Sequence, residues 1–148
     1  MRYIQCPAEA DPLPLEKSLF LAGGISNCPD WQSELTTMLE NTSWLVINPR
    51  RTDFDITNPN MTEEQILWEH RHLRLASAIA FWFPSKTLCP ITLYELGTWS
   101  TSHKPLFIGV DPKYQRRLDV QIQTRLVRPE VPILGSLEDL AHALQGGL

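Results

Sequence analysis

One carboxylate stands where a parallel sheet would use it. Residues 88–100 read Leu-Cys-Pro-Ile-Thr-Leu-Tyr-Glu-Leu-Gly-Thr-Trp-Ser and put Glu95 near the start of an expected helix, just past the strongly apolar run 78–83. In an open parallel sheet the ligand crevice lies at the carboxyl ends of the strands, where loops feed into helices. Pro90 suits the first helical position, because its missing amide hydrogen would go unpaired there anyway. The positive end of the helix dipole would then keep Glu95 ionised, and an ionised carboxylate at the lip of a sheet is a nucleophile. The same residues also fit a capping box, Thr92-Leu-Tyr-Glu95, in which the glutamate only satisfies the helix start. Spacing alone favours the cap and leaves both roles open.

Three other groups converge on the same edge. Gly23 and Gly24 end the apolar run 18–22, followed by Ile25. A glycine pair at a strand end admits a ligand close to the backbone, or simply makes a turn that needs positive φ. The loop Asn48-Pro-Arg-Arg-Thr-Asp-Phe-Asp55 is rich in directed hydrogen-bonding groups, so Asn48, Asp53 and Asp55 are candidate substrate contacts; a solvated charged connector is the plain alternative. Gln65, Glu69 and His72 fall at i, i+4 and i+7 on an expected helix over 62–76, and so share a face. That helix ends where the next strand begins, which makes Glu69 and His72 candidate catalytic groups and Gln65 a candidate binding group. A stripe turned to water is the alternative. His70 and His72 are two apart and point to different sides, so they make no i, i+4 metal pair, and no metal is expected.

These residues need a scaffold, and the chain alternates strand and helix signals throughout. Short strand-like residues 2–5 precede Pro7, Pro12 and Pro14, which make residues 1–17 an arm or an edge strand. Strands are expected at 18–22, 44–48, 78–83, 105–110 and 131–134. Asp30 and Ser136 stand where helix caps belong, and a last amphipathic helix ends at Gly146-Gly147. The polar stretch 114–123 has no clear assignment. The continuously apolar run Ala-Ile-Ala-Phe-Trp-Phe is the pattern of a central parallel strand covered on both faces. The expected fold is a three-layer α/β/α sandwich with a mostly parallel sheet of about five strands, flavodoxin-like or Rossmann-like. At 148 residues the chain fits one domain with a sizeable core.

Composition narrows the partners. Thirteen basic against 17 acidic residues, with the basic ones scattered, argue against nucleic-acid binding. No apolar run is long enough for a membrane span and the amino terminus lacks a signal-peptide core, so a soluble cytoplasmic protein is expected. Cys6, Cys28 and Cys89 form neither a C-x-x-C nor a zinc pattern and read as reduced thiols. Neither G-x-G-x-x-G nor G-x-x-x-x-G-K-[ST] occurs, so dinucleotide and triphosphate sites lack their signatures. A small, weakly charged ligand fits better.

Residues 18–26 (Ser-Leu-Phe-Leu-Ala-Gly-Gly-Ile-Ser), the helix ending Trp-Glu-His-Arg-His-Leu-Arg-Leu-Ala-Ser-Ala and the segment Leu93-Tyr-Glu-Leu-Gly97 together resemble the nucleoside 2-deoxyribosyltransferase family. The resemblance implies Glu95 as nucleophile, attacking the anomeric carbon of a 2-deoxyribonucleoside so that a second base displaces the deoxyribosyl ester from the same face. It implies no cofactor, a nucleoside and a free nucleobase as partners, and a homo-oligomer. Members resembling this chain carry an aspartate where His72 stands, another where Cys89 stands, and a tyrosine where Phe20 stands; Asp53, Asp55, Glu69 and His72 are the replacements on offer. The resemblance also implies an amide borrowed from a neighbouring subunit, for which Gln123 or another member of the stretch from Tyr114 to Gln123 is the candidate. Ile25, Trp31, Phe54 and Trp82 are candidates for a base slot, though aromatics of this kind belong more often to the core. An N-glycoside hydrolase acting on nucleosides or their monophosphates, and a non-catalytic nucleoside-binding module, stand as alternatives.

Overall fold

The computed structural model describes residues 1–146, and the Gly147 of the expected terminal glycine stop lies outside them. Among the described residues the order is β1 Arg2–Gln5, β2 Ser18–Gly23, α1 Trp31–Met38, β3 Leu45–Asn48, α2 Pro59–Leu75, β4 Ala78–Phe83, α3 Pro90–Ser100, β5 Leu106–Val110, α4 Arg117–Val127, β6 Ile133–Leu134 and α5 Leu137–Gln145. The strands lie in the order β1-β3-β2-β4-β5-β6, and every pairing is parallel. This is the doubly wound flavodoxin-like arrangement, with β1 added at one edge beside β3.

Period-two alternation divides the core. Along β4, Ile79, Phe81 and Phe83 enter one layer with Phe20 and Ala22 of β2, covered by Trp68 of α2, Leu96 of α3 and Val120 of α4. Ala78, Ala80 and Trp82 enter the other layer with Leu19 and Leu21, covered by Trp31 and Leu35 of α1 and Leu140 and Leu144 of α5. All six residues of β4 are buried, because a central strand with helices on both faces has no side left for water. Trp31 and Trp82 are therefore core residues of the layer formed by α1 and α5, and neither lines the site described below.

Local signals decide the ends of most elements. Asp30 and Ser136 cap α1 and α5, accepting from the amides of Ser33 and Asp139. α2 begins at Pro59 rather than Thr62, because Asn58 accepts from the amides of Asn60 and Met61 and proline fits the first helical position. The unassigned polar stretch leads into α4, the last strand shortens to two residues, and β1 joins the mostly parallel sheet as a sixth, edge strand. The proline-rich segment after β1 folds back across α2: Ala8 accepts from Trp68 Nε1 at 3.0 Å, and the Ala10 amide donates to His72 Nε2 at 3.0 Å. Among the described residues no helix is long and apolar enough to cross a membrane.

Gly23 closes β2 for a steric reason. A Cβ there would sit 2.4 Å from the Trp31 ring and 2.5 Å from the Trp82 carbonyl oxygen, and the residue does not take positive φ. Gly23→Ala should therefore cost about 3 kcal/mol, as overpacking against backbone leaves nothing flexible to yield. The urea midpoint would report it, and an unchanged midpoint would contradict it.

Candidate active site

The chain places β3 on one side of β2 and then crosses to place β4 on the other, so a crevice opens at the carboxyl ends of β2 and β4. Doubly wound sheets take ligands at this switch point. A cavity of about 390 Å³ occupies it, toward the small end of the range for small-molecule pockets, about 300–1,000 Å³. Phe20, Ala22 and Gly24 contribute from β2 and its end; Gln65 and Glu69 from α2; Thr92 and Glu95 from α3; Arg51, Phe54 and Ile56 from the loop after β3. A second hollow, about 700 Å³, lies beside Trp44 and Leu144 at the other end of the sheet; among the described residues its one carboxylate, Glu16, is already paired with Arg2.

Glu95 caps nothing. α3 starts at Pro90, with Cys89 as cap residue in the left-handed region (φ 48°, ψ 54°), so Thr92 and Glu95 both lie inside the helix and the capping box does not form. The expected help from the helix dipole is also absent, because that effect fades within the first turn and Glu95 sits in the second. Burial, and then the charge of Glu69, push the Glu95 carboxyl up to about 8. Burial raises Glu69 as well, opposed by the hydrogen bond that Gln65 donates to it. Two desolvated carboxyls in one cavity repel as anions, so each disfavours the ionisation of the other.

The loops that carry this pair are braced from behind. Tyr114 donates to the Leu88 carbonyl at 2.7 Å and packs its ring on Phe83, which fixes the segment entering α3. Arg50 donates to the Ile25 and Cys28 carbonyls at 2.6 and 3.3 Å, which fixes the loop after the glycine pair. Gly24 leaves little room for a side chain: a Cβ would come to 3.0 Å from side-chain atoms of Cys89, Pro84 and Thr87. Burial pushes the Cys89 thiol up to about 11, with the nearby Cys28 adding to it, so it is not a thiolate nucleophile.

Gln65 has both amide hydrogens committed. Its Nε2 donates to the Pro49 carbonyl and to Glu69 Oε1, both at 2.8 Å, and its Oε1 accepts from the Cys6 thiol at 3.1 Å. Burial holds that thiol up to about 12, so it stays a donor. Gln65 thus orients Glu69. Gln65→Leu should leave the Pro49 carbonyl unpaired, cost about 1–3 kcal/mol, and raise the Glu69 titration further by removing a donor to its charged form. A urea melt and the acid limb of a pH–rate profile test the two parts.

Of the expected site residues, Gly24, Gly23, Ile25, Gln65, Glu69 and Glu95 come together at the cavity, and Phe54 joins them. His72 does not. It stacks on Trp68 at 3.9 Å, its Nδ1 meets the Trp68 carbonyl, and its Nε2 accepts from Ala10. Both ring nitrogens are occupied under the folded-back arm, so His72 is a packing residue. Asn48 is also structural, bonded to the Tyr3 hydroxyl and the Arg50 amide. Asp53 faces outward, held below the usual carboxylate range by Arg51, and Asp55 is exposed and held low by Thr57. Gln123 is exposed on α4 and lies outside the cavity lining. The residue that sequence reasoning missed is Arg51; its signal was the hydrogen-bonding richness of the loop that carries it.

The structure is a doubly wound α/β protein with a cavity at the switch point, lined by carboxyls from two helices. Residues 16–114 match the model of the nucleoside 2-deoxyribosyltransferase-like family, and the chain belongs to that family. The matched region runs from the start of β2 through Tyr114 and contains both carboxylates and Arg51. No curated protein matches the chain closely enough to name a relative.

Proposed function

We propose that the protein is a nucleoside 2-deoxyribosyltransferase that exchanges one base for another on 2-deoxyribose, with Glu95 as nucleophile and Glu69 as the group that carries the proton. The observation that carries this reading is the pair of carboxyls, Glu69 and Glu95, sharing one cavity at the switch point. In the productive state the proton rests on Glu69 and the charge on Glu95. An oxygen of Glu95 attacks C1′, the bond from C1′ to the base nitrogen breaks, and Glu69 delivers its proton to the departing base. An incoming base then attacks C1′ through nitrogen, returns a proton to Glu69 and releases Glu95. Two inversions retain configuration, as in retaining glycosidases.

Membership of the family supports the substrate class. The loss of a capping role for Glu95 weakens the reading as a mere binding module. A homo-oligomer fits the exposed apolar stripe Leu118, Ile122 and Leu126 on α4, beside which Gln123 is available to a neighbouring subunit. Deoxyinosine incubated with and without a second base, guanine or cytosine, tests the proposal by chromatography. Exchange product that appears only with acceptor supports it. Free sugar formed at a rate indifferent to acceptor replaces it with a hydrolase, and no turnover of any nucleoside overturns catalysis altogether.

A further inference from the structure

We propose that Arg51 reads the base, donating to a carbonyl oxygen at position 6 of a purine or position 4 of a pyrimidine, so that oxo bases are preferred over amino bases. The inference rests on the base-exchange reading above. Among the described residues Arg51 is the one cationic side chain lining the cavity, and only 5% of that side chain is exposed. A guanidinium is buried at a cost unless its N–H groups are met. Nε and one Nη2 hydrogen go to Asp53 at 3.0 and 3.2 Å, and one Nη1 hydrogen goes to Glu64 at 3.0 Å. The Cys6 thiol, a weak acceptor, lies beside the group. Three of five N–H groups are committed to carboxylates and a fourth meets the Cys6 sulfur weakly; among the described residues the remaining one has no oxygen acceptor.

The clamp also decides what kind of acceptor fits. Asp53 and Glu64 are largely exposed and pull on the guanidinium from outside, fixing its plane. Two carboxylates against one guanidinium leave this corner net negative. A phosphate dianion is repelled here. What Arg51 offers a ligand is N–H geometry without net positive charge, which suits a neutral carbonyl. Ile25, Phe54 and Ile56 line the cavity near it and give a heteroaromatic ring apolar contact. Donation to the carbonyl oxygen also holds the negative charge that spreads onto that oxygen as the base departs. Adenine and cytosine present an amino donor at the same position, so donor would face donor.

Titration of the wild-type protein with free hypoxanthine and free adenine, followed by calorimetry, tests the assignment without requiring turnover. Hypoxanthine should bind about 10- to 100-fold more tightly, the discrimination typical of arginine reading a base edge. Arg51→Met should erase that ratio by weakening hypoxanthine and leaving adenine nearly unchanged. A wild-type ratio at or below one overturns the proposal even if Arg51→Met does not fold, and so does a variant that weakens both bases equally. Deoxyinosine 5′-monophosphate binding more tightly than deoxyinosine, with the gain lost in Arg51→Met, overturns it in favour of a phosphate seat. A ratio that behaves as expected in a protein that exchanges no base keeps Arg51 as the reader and removes the transferase; exchange indifferent to the base does the reverse.

Discussion

Glu95→Gln is expected to lower base exchange by at least about 10⁴-fold, the scale of losing a nucleophile, and to make the protein more stable at alkaline pH. The first effect follows from chemistry, because an amide oxygen cannot form the deoxyribosyl ester. The second follows from the same burial that defines the site. The Glu95 carboxyl rises from its ordinary 4.5 to about 8 on folding, first through desolvation and then through Glu69. The folded chain therefore holds this proton more tightly than the unfolded chain does. Below pH 4.5 both states are protonated and nothing is lost. Between pH 4.5 and 8 the folded state carries a growing penalty, which stays constant above that.

Glutamine keeps the shape and never ionises, so it should gain on the order of 2 kcal/mol over wild type at pH 9, allowing for the partial solvent access of the side chain. At pH 4 the two proteins should match. Urea melts at both values, read beside the exchange assay, separate the readings. Lost turnover with gained alkaline stability is the signature of a strained functional acid. A Glu95→Gln protein that is less stable at every pH would instead mark a structural carboxylate.

The sheet was legible because its signals are local and redundant. The apolar runs that became β2, β3 and β4 are bounded by glycine, proline and cap residues, and a buried parallel strand has few other patterns to imitate. Pro90 at the first position of α3 was readable for the same reason. The capping box at Thr92 was not a box, because the backbone turns at Cys89, three residues earlier, through a left-handed conformation that no residue type announces there. The stripe Gln65, Glu69, His72 was a true helical face, yet its far end lies under the arm. The bond from Ala10 to His72 spans 62 residues, and no window along the chain contains both partners. Arg50 and Arg51 are adjacent and chemically alike, but one pins backbone carbonyls and the other lines the cavity. Which does which depends on where α2 and the glycine loop stand, and that is tertiary information.

Glu69→Gln is expected to lower exchange of natural bases by about 10²–10⁴-fold, the usual contribution of a positioned acid, and to change the shape of the pH profile. In the wild type the pair must hold one proton. With two, Glu95 cannot attack; with none, the base leaves unprotonated. kcat/KM should therefore rise as pH climbs past the first titration of the pair, which burial places above the usual carboxylate range, and fall again through about 8. Both values belong to the pair rather than to one residue. Glutamine at position 69 removes the acid together with the charge that helps raise Glu95. Its titration should move down, and the alkaline limb should vanish because no donor is left to lose. A nucleoside whose leaving group needs no proton should recover most of the lost rate, since only the acid step is missing. If Glu69 served only to pack α2 against the cavity, the variant would lower the rate for good and poor leaving groups alike and keep the bell shape, and the proton would have to come from elsewhere.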